Sequence, residues 1–341
     1  MFKLAVLAKG SAAAVMLLLS SVLQAEHLDS EQMGKIEKLP SEYPASWMFA
    51  HDPNFNALTE GKVIVVDVNS VNNHYKGTIS SAQFGSFIAS TKRNELYSGE
   101  TFYSRGTRGT RVDVVSISNK NNLAIIDEIV LPGNKRAQTV TEKNTLQLVD
   151  DDDFLLVFNF TPAASVTIID IEKRKILNTI DIPGCSLIYP TGPRGFSSLC
   201  TDGGLLSFQF DRLGEITAQF VIPPFFDAAI DPLFEKSIYL NGIAYFPTFL
   251  GQVQAIDFSH AKPKILPPWS LVTAREREQK WRPGGWQIST SHPKGEIYIL
   301  MHKNGFNGSH KDGGSEVWVF DVKNKRKIKT ITLKNHGISI E

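Results

Sequence analysis

Cys185 and Cys200 are the only thiols of a 341-residue chain and stand fifteen positions apart in "CSLIYPTGPRGFSSLC". Two thiols at this spacing could form a disulfide, hold a metal or run redox chemistry. Zinc usually takes four Cys, His or carboxylate ligands in recognisable spacing, and this stretch offers too few. A redox pair more often reads Cys-x-x-Cys. The flanking runs "CSLIYP" and "FSSLC" read as strands around the turn "TGPRG", so the two sulfur atoms could face each other across a hairpin. A bridge closing this loop would contribute roughly 3 kcal/mol in the chain-entropy view. Free thiols are the remaining alternative.

Other reactive residue types are weighed in the same way. His302 and His310 flank "KNGFNGS", but a third ligand is not evident, so a hairpin loop with two polar histidines is expected and no metal site. Asp150 to Asp153 precede the apolar run "FLLVFNF". Calcium sites space their oxygen ligands around a loop, so this uninterrupted run is expected to be a solvated turn. Arg105, Arg108 and Arg111 surround two glycines in "YSRGTRGTR" and could pair with an anion. The run lacks the Lys-Ser/Thr ending of a phosphate loop and sits between two strands. A glycine-turned hairpin, with subunit contact as its functional version, is expected. Trp281 and Trp286 bracket "RPGG"; this turn, Arg282 included, reads as structural or partner-facing surface. Trp318, between Val317 and Val319, is expected to be packed. No Gly-x-Ser-x-Gly elbow supports a serine nucleophile, and no catalytic residue is assigned to this chain.

The compartment follows from the first 25 residues. Lys3 and Lys9 precede an apolar run from Ala12 to Val22, and Ala25 offers a cleavage position. That is the layout of a secretory signal peptide, and the run is shorter than the ~20 apolar residues that cross a bilayer. Export delivers the chain to an oxidising space where a disulfide persists. Residues 26–341 are then expected to be the mature domain, free of membrane spans. A formal net charge of +1 gives no basis for a nucleic-acid surface.

The elements that must position these residues are short strands. Runs rich in Val, Ile and Phe alternate with Gly, Asn, Asp and Pro, an all-β signature. One unit recurs: "GKVIVVDVNS" at Asp67, "TRVDVVSISN" at Ser116, "SVTIIDIEKRK" at Asp170, "GLLSFQFDRLG" at Phe210, "GQVQAIDFSH" at Asp257 and "SEVWVFDVKNKRK" at Asp321. The spacings of 49, 54, 40, 47 and 64 residues suit four-stranded blades of a β-propeller. Each recurring run is read as an inner strand, followed by a turn and a strand leading away. "SLVTAREREQKW", 270–281, reads as helix and accounts for the widest spacing.

Four stretches carry a family resemblance: "YSRGTRGTRVDVVSI", "GCSLIYPTGPRGFSSLCTDGGLL", "PPWSLVTAREREQKWRPGGW" and "MHKNGFNGSHKDGGSEVWVFD". Together they resemble the large subunit of the periplasmic quinoprotein amine dehydrogenases, closer to the aromatic amine branch than to the methylamine branch. The resemblance implies a seven-bladed propeller, two large with two small subunits, and a disulfide at Cys185 and Cys200. It implies tryptophan tryptophylquinone on the small subunit, oxidation of a primary amine to aldehyde and ammonia, and electron transfer to a cupredoxin or cytochrome c. It also implies a phenylalanine lining the passage to the quinone. "SSAQFGSFIAS" matches that turn loosely, making Phe84 the substrate-channel residue and Phe87 its neighbour, with burial in the core as the plain alternative. About one further blade follows the matching C-terminal stretch in such subunits, so an incomplete last blade is expected. A stand-alone exported propeller that binds a ligand or a protein is the competing reading.

Overall fold

The computed structural model describes residues 38–52, 60–106, 108–133, 135–136 and 142–341. The export signal read at 1–25 lies outside the described residues.

Six antiparallel sheets follow one another along the chain as the blades of a β-propeller. Blade 1 has three strands, Trp47–Asp52, Glu60–Asp67 and Tyr75–Ala82. Blade 2 runs through Ser86–Ala89, Glu95–Arg105, Arg108–Asn119 and Ile125–Leu131, and blade 3 through Leu146–Val149, Phe154–Asn159, Ser165–Asp170 and Lys175–Asp181. Blade 4 comprises Cys185–Pro190, Gly195–Cys200, Leu205–Phe210 and Ile216–Ile222. Blades 5 and 6 occupy 238–270 and 282–337, each with a divided strand at one edge. A seventh blade, implied by the resemblance, is not formed by the described residues.

The recurring apolar run is the third strand of blades 2 to 6 and the middle strand of three-stranded blade 1, not the inner one. Short first strands face the axis: Ser86–Ala89, Leu146–Val149 and Cys185–Pro190 lie against one another, as do Ile238–Leu240 and Ser289–His292. The middle strands stand out in the sequence because a neighbouring blade covers each face, which replaces alternation with continuous apolar runs. Phe154–Asn159 and Ser165–Asp170 are buried at every position. Their side chains join inter-blade layers, the largest uniting blades 3, 4 and 5 around Phe158, Phe196, Phe208 and Phe246. Each such large side chain gives about 1.5–3 kcal/mol on burial.

The repeated aspartate has a local cause. At the end of the third strand its carboxylate accepts the amide two or three residues on and closes the turn to the outer strand, an Asx turn. Asp170 Oδ1 takes Lys173 N at 2.9 Å, Asp257 Oδ1 takes Ser259 N at 2.9 Å, and Asp321 Oδ1 takes Lys323 N at 2.9 Å. The Ser259 hydroxyl and amide hold the Asp257 carboxyl below the usual carboxylate range. Next to this turn the pairing with the outer strand shifts register in blades 2, 3, 4 and 6. Such a bulge strengthens local twist at an exposed edge.

The expected helix is shorter than 270–281, covering Ala274–Glu278. Thr273 and Glu276 form a reciprocal capping box that starts it. Trp269–Ser270 pairs with Gln252–Val253 instead, and Trp281 turns into the blade 5–6 layer at 5.0 Å from Trp318. Tertiary pairing at both ends overrides a helical composition.

Candidate functional site

Because each innermost strand runs in the same direction along the axis, the connections leading into them converge on one end of the propeller, the mouth. Side chains cross it. Glu142, before the first strand of blade 3, pairs with Lys236, before that of blade 5, at 2.9 Å. Lys236 Nζ lies 4.8 Å from the centre of the Trp286 ring in blade 6. Residues 338–341 fold back over the same end: Trp286 N donates to Ile338 O at 2.6 Å, Ile340 N to Gln287 O at 2.9 Å, and Lys143 pairs with Glu341. Burial pushes the Glu142 carboxyl up, against the pull of Lys236.

The Phe84 turn joins blade 1 to blade 2 at this mouth. Gly85 N donates to Ala82 O at 3.1 Å, and Phe84 holds φ 55°, a left-handed conformation that costs a residue with a Cβ about 1–2 kcal/mol. Two buried groups of opposite charge flank the turn. Glu100, 1% exposed, accepts Ala82 N on Oε1 at 2.8 Å and the Ser116 hydroxyl on Oε2. Arg136, 2% exposed, donates from Nη2 to Phe84 O at 3.2 Å and to Ser86 Oγ at 3.3 Å, and from Nη1 to Thr101 Oγ1 at 3.1 Å. Desolvation lowers the Arg136 pKa to about 10, opposed by Asp113 and Glu100, while desolvation raises that of Glu100. Asp113 is buried beside them, 2.8 Å from Thr101 Oγ1 and 3.0 Å from Arg111 Nη2. The Phe84 side chain is half-buried, as is Phe87, which packs on Phe49 and His51 at 4.9 and 6.4 Å. His51 Nε2 is buried with no hydrogen-bond partner among the described residues. Its pKa falls to about 4, first through burial and then through Arg136, with Asp52 opposing.

Cys185 and Cys200 face each other in adjacent strands of blade 4 and form a disulfide, with Cα atoms 3.9 Å apart. It too lies at the mouth. Trp281 and Trp286 occupy different environments: Trp281 is half-buried in a core layer, whereas Trp286 is 40% exposed. The Arg282 guanidinium lies 4.4 Å from the centre of the Phe249 ring. The Trp281 and Trp318 rings are tilted by 43°, and Trp318 is 1% exposed with its Nε1 donated to Glu316 at 2.6 Å. That pair packs as part of the core layer between blades 5 and 6.

His302 and His310 part company. His302 is buried with Nε2 2.9 Å from Ser309 Oγ, so it is not an exposed polar loop residue, while exposed His310 meets the Phe249 ring edge-on. Burial lowers the His302 pKa. Arg105 and Arg108 are exposed at the tip of the long blade 2 hairpin, whereas Arg111 turns inward onto Asp113. The acidic run is not a solvated turn. At the opposite end, the base, Asp152 is buried and its Oδ2 accepts Ser90 Oγ at 2.7 Å, Thr91 N at 2.8 Å and Lys92 N at 3.1 Å. Asp150 binds Arg194 of blade 4 at 2.6 Å, and Asp153 lies 3.4 Å from both Arg93 and Arg212. Only Asp151 of the four is exposed.

Sequence reading missed Arg136 and Glu100. Glu100 carried a weak signal, a charge in the middle of the strand Glu95–Arg105 that a covered strand would normally exclude. Arg136 carried none, since a basic residue in a long connection ordinarily reads as solvated.

A family model described as "Methylamine dehydrogenase heavy chain (MADH)" matches residues 45–341. The chain is 28% identical over 308 residues to the methylamine dehydrogenase heavy chain of Methylobacillus flagellatus, covering 89% of this chain and 75% of that one. It is 29% identical over 243 residues to the heavy chain of Methylophilus methylotrophus, covering 70% and 59% respectively. The fold is similar to the β-propeller domain of Cps50 (Swd1) from Myceliophteria thermophila, with a TM-score of 0.52 at 9% identity over 87% of this chain and 88% of that one.

Proposed function

The chain belongs to the methylamine dehydrogenase heavy chain family, and on that premise we propose that it is the large subunit of a periplasmic amine dehydrogenase. The match over residues 45–341 carries this reading. A small subunit would bear tryptophan tryptophylquinone, which supplies the electron sink for oxidising a primary amine to aldehyde and ammonia. This chain's residues bind that subunit, cover its active site and shape the passage for the amine. The reading extends to two large with two small subunits, a cupredoxin or cytochrome c as acceptor, and an aromatic amine as substrate.

The distribution of exposed apolar residues supports docking at the mouth. Phe102, Tyr103, Phe160, Trp286, Phe306 and Ile338 are exposed there. The base exposes Val68, Val71, Tyr75, Ile125, Ile126, Leu213 and Ile328, with one aromatic ring among them. Aromatic and Arg side chains are enriched among residues that dominate interfaces, and Arg105 and Arg108 stand at the tip of the same hairpin as Phe102 and Tyr103. Phe84 sits at the same end, where its ring narrows the approach to whatever covers the axis.

The test is native purification of this chain from oxidised periplasm, with quinone staining of the eluate and dye reduction driven by phenylethylamine or methylamine. A quinone-positive small chain and amine-dependent activity are expected, with phenylethylamine preferred. An inactive monomer would withdraw the enzyme assignment. Preference for methylamine would move the substrate to the other branch.

A further inference from the structure

We propose that Glu100 and Arg136 are positioning residues for amine selectivity: they clamp the turn 82–85 from beneath and so fix the direction in which Phe84 presents its ring at the mouth. The inference rests on the functional reading of Phe84 given above.

The geometry is specific to this turn. A left-handed phenylalanine stays in place only when its surroundings determine it. Here the amide of Ala82 is held by the Glu100 carboxylate at 2.8 Å and the carbonyl of Phe84 by the Arg136 guanidinium at 3.2 Å. The two contacts fix the peptide groups at the two ends of the turn, the one before Ala82 and the one after Phe84, from the same buried layer. Arg136 also holds Ser86, the first residue of the inner strand of blade 2, at 3.3 Å, which ties the turn to the axis. The guanidinium fits closely: a Cβ on Gly99 would stand 3.1 Å from Arg136 Nε. Asp113 and Glu100 provide the buried negative charges that make an almost fully enclosed arginine tolerable. Nothing in blade assembly requires a charged pair at this depth, since the other inter-blade layers are built mainly from apolar side chains. Its geometric product is the orientation of one half-buried turn at the mouth.

Selectivity follows because an aromatic ring at an entrance discriminates by size. A shift of the ring changes access for a bulky arylalkylamine more than for methylamine, and pocket shape alone ordinarily supports discrimination of about tenfold or more.

The experiment uses the assembled enzyme with Arg136→Met, Arg136→Lys, Glu100→Gln and Phe84→Ala, measuring kcat and KM for phenylethylamine and methylamine. Arg136→Met is expected to change the ratio of the two kcat/KM values about tenfold, mainly through the KM for phenylethylamine, with Arg136→Lys partly restoring it. In a Phe84→Ala background the same change should leave the ratio unmoved, because no ring remains to be aimed. An equal shift with and without the ring would overturn the proposal. Amide exchange in this chain alone reads the clamp independently of activity: Gly85 and Phe84 should exchange about tenfold faster in Arg136→Met and Glu100→Gln, with the blade 3 strands unaffected. Unchanged exchange sinks the clamp. Faster exchange without any amine oxidation in the wild-type assembly supports the clamp and removes the dehydrogenase reading, so the two failures are distinguishable. Glu100→Gln, which keeps the side chain's volume but removes the negative charge beside Arg136, serves where Arg136→Met does not fold.

Discussion

The mouth and the base of the propeller solve the same problem, joining strands of adjacent blades, with opposite chemistry. At the base, backbone turns are closed by carboxylates, and Asp150, Asp152 and Asp153 bind blades 2, 3 and 4 together through Ser90, Arg93, Arg194 and Arg212. At the mouth, connections are longer, aromatic residues and Arg105 and Arg108 stay exposed, while Glu100 and Arg136 are buried under the Phe84 turn and Glu142 and Lys236 pair across the axis. The difference separates an end built for stability from the end that the proposed function assigns to recognition. An end whose polar groups satisfy one another has little left to offer a partner, whereas an end that exposes rings and strains a turn retains both apolar area and a fixed shape.

The strongest test of that division is Asp152→Ala. Its carboxylate receives two backbone amides and a serine hydroxyl at a buried position, and removing it strands those donors at a cost of about 3–4 kcal/mol. Chemical denaturation of the full chain should show this as a lower midpoint at unchanged slope. Replacing both Cys185 and Cys200 with serine is next, at about 3 kcal/mol for a closed loop of 15 residues. Should the disulfide change cost clearly more than Asp152→Ala, the mouth carries more of the stability than the comparison assigns to it.

The sequence was most legible where burial is repetitive. Middle strands covered on both faces produced the period, and Asx turns produced the aspartate at its end, so the propeller could be read without any knowledge of which strand faced the axis. Inner strands were not legible: Ser86–Ala89 and Ile238–Leu240 are too short to carry a pattern. The acidic run was misread because its partners lie 60 or so residues upstream, at Ser90 to Lys92, and 44 residues downstream, at Arg194. Phe84 was singled out through resemblance alone, and the charges that flank its turn are non-local contacts between a strand, a connection and a turn, which no spacing rule encodes.

Acid titration sharpens the mouth side, because two buried groups there act with opposite sign. His51 has its pKa lowered to about 4 from 6.5, so the unfolded chain binds the proton first, and stability is lost as pH falls from 6.5 towards 4. Glu100 is raised, so the folded chain keeps its proton longer, and stability is lost as pH rises from the ordinary glutamate value through the folded one. The His51 contribution is about 3 kcal/mol across its window. Relative to wild type, His51→Phe should therefore flatten the rise of stability with pH in this range, and Glu100→Gln should steepen it. Thermal midpoints from pH 4 to 7 decide it; two variants with parallel profiles would show that neither group titrates as its surroundings dictate.

The smallest expected effect separates strain kept for shape from strain that is merely tolerated. Phe84 and Asp151 both occupy left-handed backbone, at φ 55° in each case, one at the mouth and one at the base. Aspartate visits this region at lower cost than a bulky residue does. Phe84→Gly should therefore stabilise the chain by about 1 kcal/mol from relief of backbone strain, less what the ring's own contacts contribute. Asp151→Gly should gain a few tenths at most, because its 3.4 Å pair with Lys92 is exposed and worth little. The informative result lies in the pairing of stability with selectivity. If Phe84→Gly raises the midpoint while erasing the preference between amines, the turn holds its strain for the sake of the ring. If it is neutral on both counts, the left-handed turn at the mouth is no different in kind from the one at the base.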